Sequence, residues 1–99
     1  MSVYLDPLAA HGWVLRGRRV KSCHMIADTL DELHAMADAI GLKRSWFQAS
    51  PPASANHYDL TEARRSAAVA AGALEPDRAT FVAHLRRIRG GLATSTTNG

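Results

Sequence analysis

The chain has 99 residues, enough for one small domain and too short for two with separate cores, since domains typically run to about 100–150 residues. Hydrophobic residues make up 46% and charged residues 21% of the chain, a balance that excludes a disordered, collagen-like or coiled-coil protein. The formal net charge is +3, carried by twelve basic residues of which ten are arginine. Because guanidinium is a planar fork suited to phosphate, this charge favours a phosphate-bearing partner; an arginine-rich solubilising surface is the alternative.

A single cysteine, Cys23, excludes an internal disulfide and every Cys-rich zinc pattern. No stretch provides the roughly 20 apolar residues of a membrane-spanning helix, and no basic-then-apolar leader opens the chain. We therefore expect a soluble, cytoplasmic protein with no membrane partner.

The first quarter of the chain is predicted to form strands. Ser2–Leu5 is a short apolar strand that ends at Asp6-Pro7, because proline lacks the donor that a strand needs. Trp13–Leu15 is predicted as a second strand, residues 16–19 as a basic turn, and Val20–Ile26 as a third strand.

A first helix is predicted after these strands. Thr29 and Glu32 form a capping box, and Gly41 supplies the stop. Its apolar face consists of Leu30, Leu33, Ala37 and Ile40. Ser45–Ala49 is predicted to be extended, and the prolines and small polar residues of 50–56 predict an irregular loop.

Two further helices complete the prediction. The second begins near Asp59, with Glu62 as the capping-box partner, and ends at Gly72. The third begins around Pro76-Asp77 and ends at Gly90-Gly91. Residues 1–90 are thus expected to form a single domain, and residues 91–99 a flexible tail.

This order of elements predicts an α/β or α+β fold: a small sheet of three or four strands, partly parallel, covered by about three helices. The unit from Val20 to Ala49 would be a strand, helix and parallel strand with a right-handed crossover. Polar groups would then collect beyond the carboxyl ends of the strands, where open α/β sheets bind ligands.

The densest group of polar residues runs from Asn56 to Asp59, before the predicted second helix, with Arg64 and Arg65 soon after it. The N-terminus of a helix attracts anions, and either arginine could close over one. The alternative gives each residue an ordinary role, with Asp59 as the N-cap, Tyr58 as a core aromatic and the arginines in solvent.

His24 and His57 are the candidate catalytic residues, because two imidazoles across a phosphate can act as general base and general acid near neutral pH. A lone histidine in a strand is more often structural. Asp6 and Asp59 join the two histidines as metal-ligand types, but no pair has the spacing of a metal motif. The prediction is therefore a site without a metal or cofactor.

Two other features bear on the partner. Alternation places Trp46 and Gln48 on one face of the predicted strand, where a tryptophan beside an amide could stack on a base. The alternative is a core aromatic. Three arginine- and lysine-rich patches, at residues 16–21, 43–44 and 86–89, could hold a nucleic-acid backbone. His11, His34 and His84 are predicted to lie on the surface.

Several short blocks also resemble a known family. The most specific are Trp46-Phe47-Gln48 and His57-Tyr58-Asp59, and Val3–Asp6 and Cys23–Asp28 accompany them. Over most of residues 1–85 the chain resembles DUF4031, a family of small bacterial and phage proteins. The resemblance implies a stand-alone domain and carries no activity.

The leading hypothesis is a pocket that binds a phosphate-bearing ligand such as a nucleotide or a nucleic-acid end. Its catalytic candidates are His24 and His57. Its ligand-binding candidates are Asp6, Trp46, Gln48, Tyr58, Asp59, Arg64 and Arg65. Phosphodiester or phosphoryl hydrolysis is the reaction that these groups suit, although they leave turnover open. The alternatives are a non-enzymatic interaction protein or phage accessory factor, for instance a homodimer, and nonspecific nucleic-acid binding through the arginine patches.

Overall fold

The longest strand of the sheet pairs with the three other strands. The computed structural model describes residues 2–49 and 56–98, and for residues 89–98 it describes the backbone alone. The strands are β1 (Val3–Leu5), β2 (Ala9–Leu15), β3 (Arg18–Ala27) and β4 (Tyr58–Thr61), and the helices are α1 (Leu30–Ala39), α2 (Glu62–Ala70) and α3 (Arg78–Asn98), with a 3₁₀ helix at Arg44–Trp46.

All of these strand pairings are antiparallel. β1 and β2 pair with the two ends of β3, and β4 pairs with the middle of β3 on its other side. The predicted α+β alternative and the predicted sheet of three or four strands are therefore confirmed, with four strands observed, and the partly parallel sheet is wrong. Between β1 and the chain after α2 there is one parallel bridge, from Tyr4 to Leu74.

The error arises in the segment after α1. The predicted strand at Ser45–Ala49 is instead a 3₁₀ turn, in which the N–H of Trp46 donates to the carbonyl of Lys43 at 2.9 Å. Only Gln48 makes a β-bridge, and it is antiparallel, to His57. The predicted loop falls outside the described residues apart from Asn56. The partner strand is β4, which follows that loop and returns antiparallel to β3.

β3 separates two layers, because its side chains alternate between the faces of the sheet. Cys23 and Met25 face the main core with Leu60, beneath α1 and α2. On the opposite face, Tyr4 and Ile26 pack under α3. That second cluster comprises Tyr4, Ile26, Phe81 and Ile88. His24 lies on the same face, beyond the part that α3 covers, and this is where the candidate site forms.

α1 follows its prediction closely. Thr29 caps it by accepting the N–H of Glu32 at 3.2 Å, and its hydroxyl donates to the Glu32 carboxylate at 3.0 Å. Gly41 follows with φ +80°, a left-handed conformation that favours glycine. A Cβ there would come within 2.8 Å of the Arg64 guanidinium, so the residue also makes room for that side chain.

The other two helices differ from prediction at one end each. α2 begins at Glu62, capped by the Thr61 hydroxyl, which accepts the N–H of Arg64. Asp59, the predicted cap, lies within β4.

α3 is capped by Asp77, whose carboxylate accepts the N–H of Thr80 at 2.7 Å. The backbone of α3 continues to Asn98 instead of ending at Gly90-Gly91, since glycine costs a helix only about 1 kcal/mol. The division into a domain of residues 1–90 and a flexible tail stays a prediction.

The β2–β3 hairpin is longer than predicted. β2 starts at Ala9, and its pairing with β3 is irregular between Ala10 and Val14, around Gly12 at φ +78°. Arg16 and Gly17 make the turn, and both have positive φ. Among the described residues, no helix is long and apolar enough to cross a membrane.

Candidate functional site

Four parts of the chain bring polar side chains to one place on the sheet. Asp6 follows β1, His24 is in the middle of β3, and Asp59 is its partner across the β3–β4 pairing. Gln48 and His57 come from the isolated bridge beside β4. We call His24, His57 and Asp59 the His–Asp cluster. All five were predicted site residues.

Asp6 holds His24 in place through two hydrogen bonds. The backbone N–H of His24 donates to Asp6 Oδ1 at 2.6 Å, and His24 Nδ1 lies 2.9 Å from Asp6 Oδ2. Asp6 is only 5% exposed. Arg65 supports the same corner by donating from Nε to the carbonyl oxygen of Asp6 at 3.1 Å.

The two groups shift each other's pKa. Burial alone would raise the pKa of Asp6, but the hydrogen bonds from the ring and the N–H of His24 bring it below its ordinary value. The hydrogen bond to Asp6 raises the pKa of His24, while burial and the positive charge of Arg78 oppose the rise. Asp6 is therefore an ionised acceptor at neutral pH, so Nδ1 of His24 carries a proton and Nε2 faces Asp59.

Asp59 lies between the two imidazoles without being hydrogen-bonded to either. Its Oδ1 is 3.8 Å from His24 Nε2 and 3.6 Å from His57 Nε2, and both distances exceed the range of a hydrogen bond. Its Oδ2 accepts the side-chain amide of Gln48 at 2.6 Å. Gln48 thus orients the carboxylate while Oδ1 remains directed at the two rings.

The cluster has the composition of a metal-ligand set, although the sequence predicted no metal. One ligand atom from each of its three residues lies within 4.8 Å of the others. Two imidazole nitrogens and one carboxylate oxygen are ligands that zinc and other first-row divalent ions accept. The spacing along the chain gave no such sign, since the three residues meet only through the antiparallel pairing of β3 with β4.

A cavity of about 300 Å³ opens onto the cluster. It is lined by His11, Trp13, Ser22, His24 and Asp59. The His11 ring is centred 5.1 Å from that of His24. Sequence reasoning missed His11 because the predicted second strand began only at Trp13, whereas β2 starts at Ala9 and carries both His11 and Trp13 beside β3.

Arg78 is a further residue that the sequence did not single out. It is the first residue of α3, it is exposed, and its charge acts on His24. No local pattern distinguished it from the other arginines. Its position depends on how α3 docks on the sheet.

Two of the predicted ligand-binding residues lie away from the cluster. Tyr58 is fully buried in the main core, and its hydroxyl shares a 2.9 Å hydrogen bond with Nδ1 of His34. As neighbours in a strand, Tyr58 and Asp59 face opposite sides of the sheet. Arg64 donates from Nη1 to the carbonyl of Ile40 and so caps the end of α1. With α2 starting at Glu62, the predicted anion site at residues 56–59 has no helix N-terminus.

Trp46 and Arg65 also have other surroundings than predicted. Trp46 is 47% exposed, and the Lys43 ammonium lies 5.7 Å from its ring centre. Because Trp46 lies in a 3₁₀ turn, the alternation of a strand does not place it on one face with Gln48. Trp13, not Trp46, lines the cavity. Arg65 pairs with Glu75 at 2.6 Å, so its guanidinium ties α2 to the segment before α3.

Two histidines predicted to be on the surface are half-buried. His34 packs edge-on against Phe47 besides its bond to Tyr58, and His84 stacks on Tyr4 with ring centres 4.0 Å apart. Cys23 also has no chemical role here, because burial raises the pKa of its thiol to about 12 and leaves it unreactive.

The comparisons with known proteins concern the family alone. The model of the DUF4031 family, described as a protein of unknown function, matches residues 3–88. The chain belongs to this family. No curated protein and no solved structure matches the chain.

The DUF4031 match includes every residue of the site. Asp6, Gln48 and the three residues of the His–Asp cluster lie within the matched range, as does Arg78. The family description names no activity.

Proposed function

We propose that this domain binds a phosphate-bearing ligand, such as a nucleotide or a nucleic-acid end, in the cavity above the His–Asp cluster. Hydrolysis of a phosphoester is the reaction that the site favours. The observation that carries the proposal is the convergence of His24 and His57 on one carboxylate beside an open cavity.

The groups around the cavity suit an anion. His11, Ser22 and His24 line its walls, and the positive charge of Arg78 acts on His24. Charged donors make the stronger hydrogen bonds to phosphate oxygens. Trp13 in the same wall offers an apolar surface on which a base could stack.

Among the described residues that line the cavity, Asp59 is the one that repels a phosphate. A carboxylate beside a bound anion costs free energy, and in a partly buried site this repulsion is only weakly screened. Its charge must therefore be offset by a cation when the ligand binds. Protonated imidazoles or a metal ion could provide that charge.

In the proposed hydrolysis, the oxygen of a water molecule forms a bond to phosphorus while the ester P–O bond breaks. The proton of the water passes to a base or to solvent, and the leaving oxygen takes up a proton. This balance requires no oxidant or second substrate.

Ligand titrations test this function directly. Inorganic phosphate, nucleoside monophosphates and a 5′-phosphorylated oligonucleotide would be titrated by calorimetry, with and without added Zn²⁺ or Mn²⁺. Release of p-nitrophenolate from bis(p-nitrophenyl) phosphate measures hydrolysis. We expect His57→Ala to weaken phosphate binding about 10–100-fold, the equivalent of one lost hydrogen bond to a charged group.

The matched control is His84→Ala, which removes a half-buried histidine from α3. It should leave ligand affinity unchanged. His57→Ala is a better probe than His24→Ala, because loss of His24 leaves the buried Asp6 without its partner. The proposal fails if none of the phosphates binds under any metal condition, or if both alanine variants bind like the original chain.

A second candidate is nonspecific nucleic-acid binding, favoured by the exposed side chains of Arg16, Arg18 and Arg19 on the β2–β3 hairpin. Such binding falls steeply with salt and would survive His57→Ala. Fluorescence anisotropy of a labelled oligonucleotide between about 50 and 200 mM salt, over which backbone binding loses orders of magnitude in affinity, distinguishes the two. In the cavity proposal, affinity depends on His57; in the hairpin alternative, it depends on the arginines.

A further inference from the structure

At the centre of the His–Asp cluster, Asp59 Oδ1 lies 3.8 Å from Nε2 of His24 and 3.6 Å from Nε2 of His57, beyond the range of a hydrogen bond between them. We propose that His24, His57 and Asp59 bind a divalent transition-metal ion of the Zn²⁺ class. The inference stands on the geometry of the three side chains and does not require the ligand of the cavity to be a phosphate.

The distances between ligand atoms favour an ion over direct contacts. Zinc holds nitrogen and oxygen ligands at about 2.0–2.2 Å, so two ligands of a tetrahedral site lie about 3.3–3.5 Å apart. Asp59 Oδ1 is 3.6 Å from His57 Nε2 and 3.8 Å from His24 Nε2. These separations exceed the ideal values by only a few tenths of an ångström, which small side-chain rotations would remove.

Supporting residues hold His24 and Asp59 in place. Asp6 accepts from Nδ1 of His24 at 2.9 Å, which fixes the ring and its tautomer with Nε2 directed at the cluster. Gln48 donates to Oδ2 of Asp59 at 2.6 Å and leaves Oδ1 for the ion. A carboxylate behind a histidine ligand and a hydrogen bond behind a carboxylate ligand are the usual supports of metal sites.

The negative charges around His24 also favour a metal ion. Asp6 and Asp59 place two carboxylates on either side of His24. One protonated imidazole would offset one of these charges, whereas a divalent cation offsets both. The alternative to a metal ion is therefore a protonated His24 held between the two carboxylates. A metal titration distinguishes the two arrangements, because only the proposed site takes up an ion.

The arrangement resembles an open site more than a closed structural one. Three protein ligands leave at least one position of a four-coordinate ion, and two of the ligands, His24 and Asp59, line the cavity of about 300 Å³. A catalytic zinc keeps such a position for water and lowers the pKa of that water. If the proposed hydrolysis holds, the ion would supply its nucleophile and neutralise Asp59.

Metal titration of the full chain tests the site. After removal of metal with a chelator, Zn²⁺ and Co²⁺ would be titrated by calorimetry, and the visible spectrum of Co²⁺ would report its coordination. We expect one ion per chain and the absorption of four- or five-coordinate Co²⁺. Asp6→Asn should weaken binding about 10–100-fold, the usual effect of losing a supporting residue, and His57→Ala and Asp59→Asn should weaken it more.

Two controls match these variants in chemistry. Asp38→Asn removes an exposed carboxylate on α1, and His84→Ala removes an imidazole on α3; both should bind metal like the original chain. Circular dichroism establishes that each variant is folded. If Asp6→Asn does not fold, the comparison of Asp59→Asn with Asp38→Asn still shows whether the metal ion binds at the His–Asp cluster.

The outcomes separate the two proposals. One ion per chain with loss in His57→Ala and Asp59→Asn supports the metal site, even if no phosphate binds. Phosphate binding with no uptake of Zn²⁺ or Co²⁺ overturns the metal site and leaves the proposed function standing. Metal uptake that is the same in Asp59→Asn and Asp38→Asn also overturns it, because the ion would then lie elsewhere.

Discussion

Two polar clusters lie on the same face of the sheet, and their carboxylates differ in how closely their partners approach. Near α3, Asp28 accepts the N–H of Ser2 at 2.7 Å, the hydroxyl of Tyr4 at 3.1 Å and the guanidinium of Arg87 at 2.7 Å. We call these four residues the Asp28 network. In this network the Asp28 carboxylate pairs with the Arg87 guanidinium, and both Asp28 oxygens accept hydrogen bonds.

The His–Asp cluster is the opposite case. Asp59 Oδ1 has two imidazoles nearby at distances too long for hydrogen bonds, and a second carboxylate, Asp6, stands behind one of them. The face of this cluster opens to the cavity, whereas α3 covers the Asp28 network. Both Asp28 oxygens accept hydrogen bonds beneath α3, whereas Asp59 Oδ1 faces two imidazoles beside a cavity, so we assign the Asp28 network to stability and the cluster to binding.

The largest stability effect should come from breaking the Asp28 network. Asp28→Ala leaves the Ser2 N–H, the Tyr4 hydroxyl and Arg87 without their acceptor, and we expect the free energy of unfolding to fall by about 2–3 kcal/mol. Urea denaturation measures it. Asp38→Ala is the control, because its pair with Arg44 is exposed and should cost no more than about 0.5 kcal/mol. An equal loss in both variants would refute the structural role of Asp28.

Acid should produce a smaller loss through the same carboxylate. Burial would raise the pKa of Asp28, but hydrogen bonds from Arg87, Ser2 and Tyr4 hold it below its ordinary value. A carboxylate with a lowered pKa stabilises the fold above its unfolded pKa of about 3.9, and this stability is lost as pH falls through the folded pKa. The protonated acid keeps part of its hydrogen bonding, so the loss is smaller than in Asp28→Ala.

The measurement is the free energy of unfolding between neutral pH and acid, for the original chain and for Asp28→Asn. The variant should show a shallower decline below about pH 4. Asp6 titrates in both proteins, so its contribution cancels in the difference. Parallel curves for the two proteins would mean that Asp28 has the same pKa folded and unfolded.

The Tyr4 hydroxyl should contribute less still. Tyr4→Phe removes one donor to Asp28 and keeps the ring that stacks on His84, so we expect a loss of about 1 kcal/mol. Thermal unfolding measures this change. Metal and phosphate binding should be unaffected, and a variant that lost either would show that the two clusters are coupled.

Local signals explain which parts of the fold were predictable. α1 was predicted with both ends because Thr29, Glu32 and Gly41 are cap and stop residues that act within one turn of the helix. The start of α2 was missed because Asp59 and Thr61 are both capable caps. Pairing of β4 with β3 decides between them, and such pairing is a long-range property that the local pattern does not contain.

The residues of the site were likewise predictable only in part. Asp6, His24, His57 and Asp59 were predicted to meet at the carboxyl ends of strands in a partly parallel sheet. They do meet, but through the antiparallel pairing of β3 with β4 and the hydrogen bonds between Asp6 and His24. Tyr58 was also predicted to bind the ligand, but it faces the main core, because adjacent side chains of a strand point to opposite sides of the sheet.

The smallest stability effect, in metal-free protein, should come from Asp59→Asn. Asn retains an oxygen that can accept from Gln48, and the contacts that it loses are longer than hydrogen bonds. The free energy of unfolding should therefore change by no more than about 0.5 kcal/mol. Added Zn²⁺ should raise the melting temperature of the original chain, since an ion that binds only the folded state stabilises it, and should not raise that of the variant. A loss as large as that of Asp28→Ala would instead mean that Asp59 holds the fold together, and the distinction between a stabilising and a binding cluster would not stand.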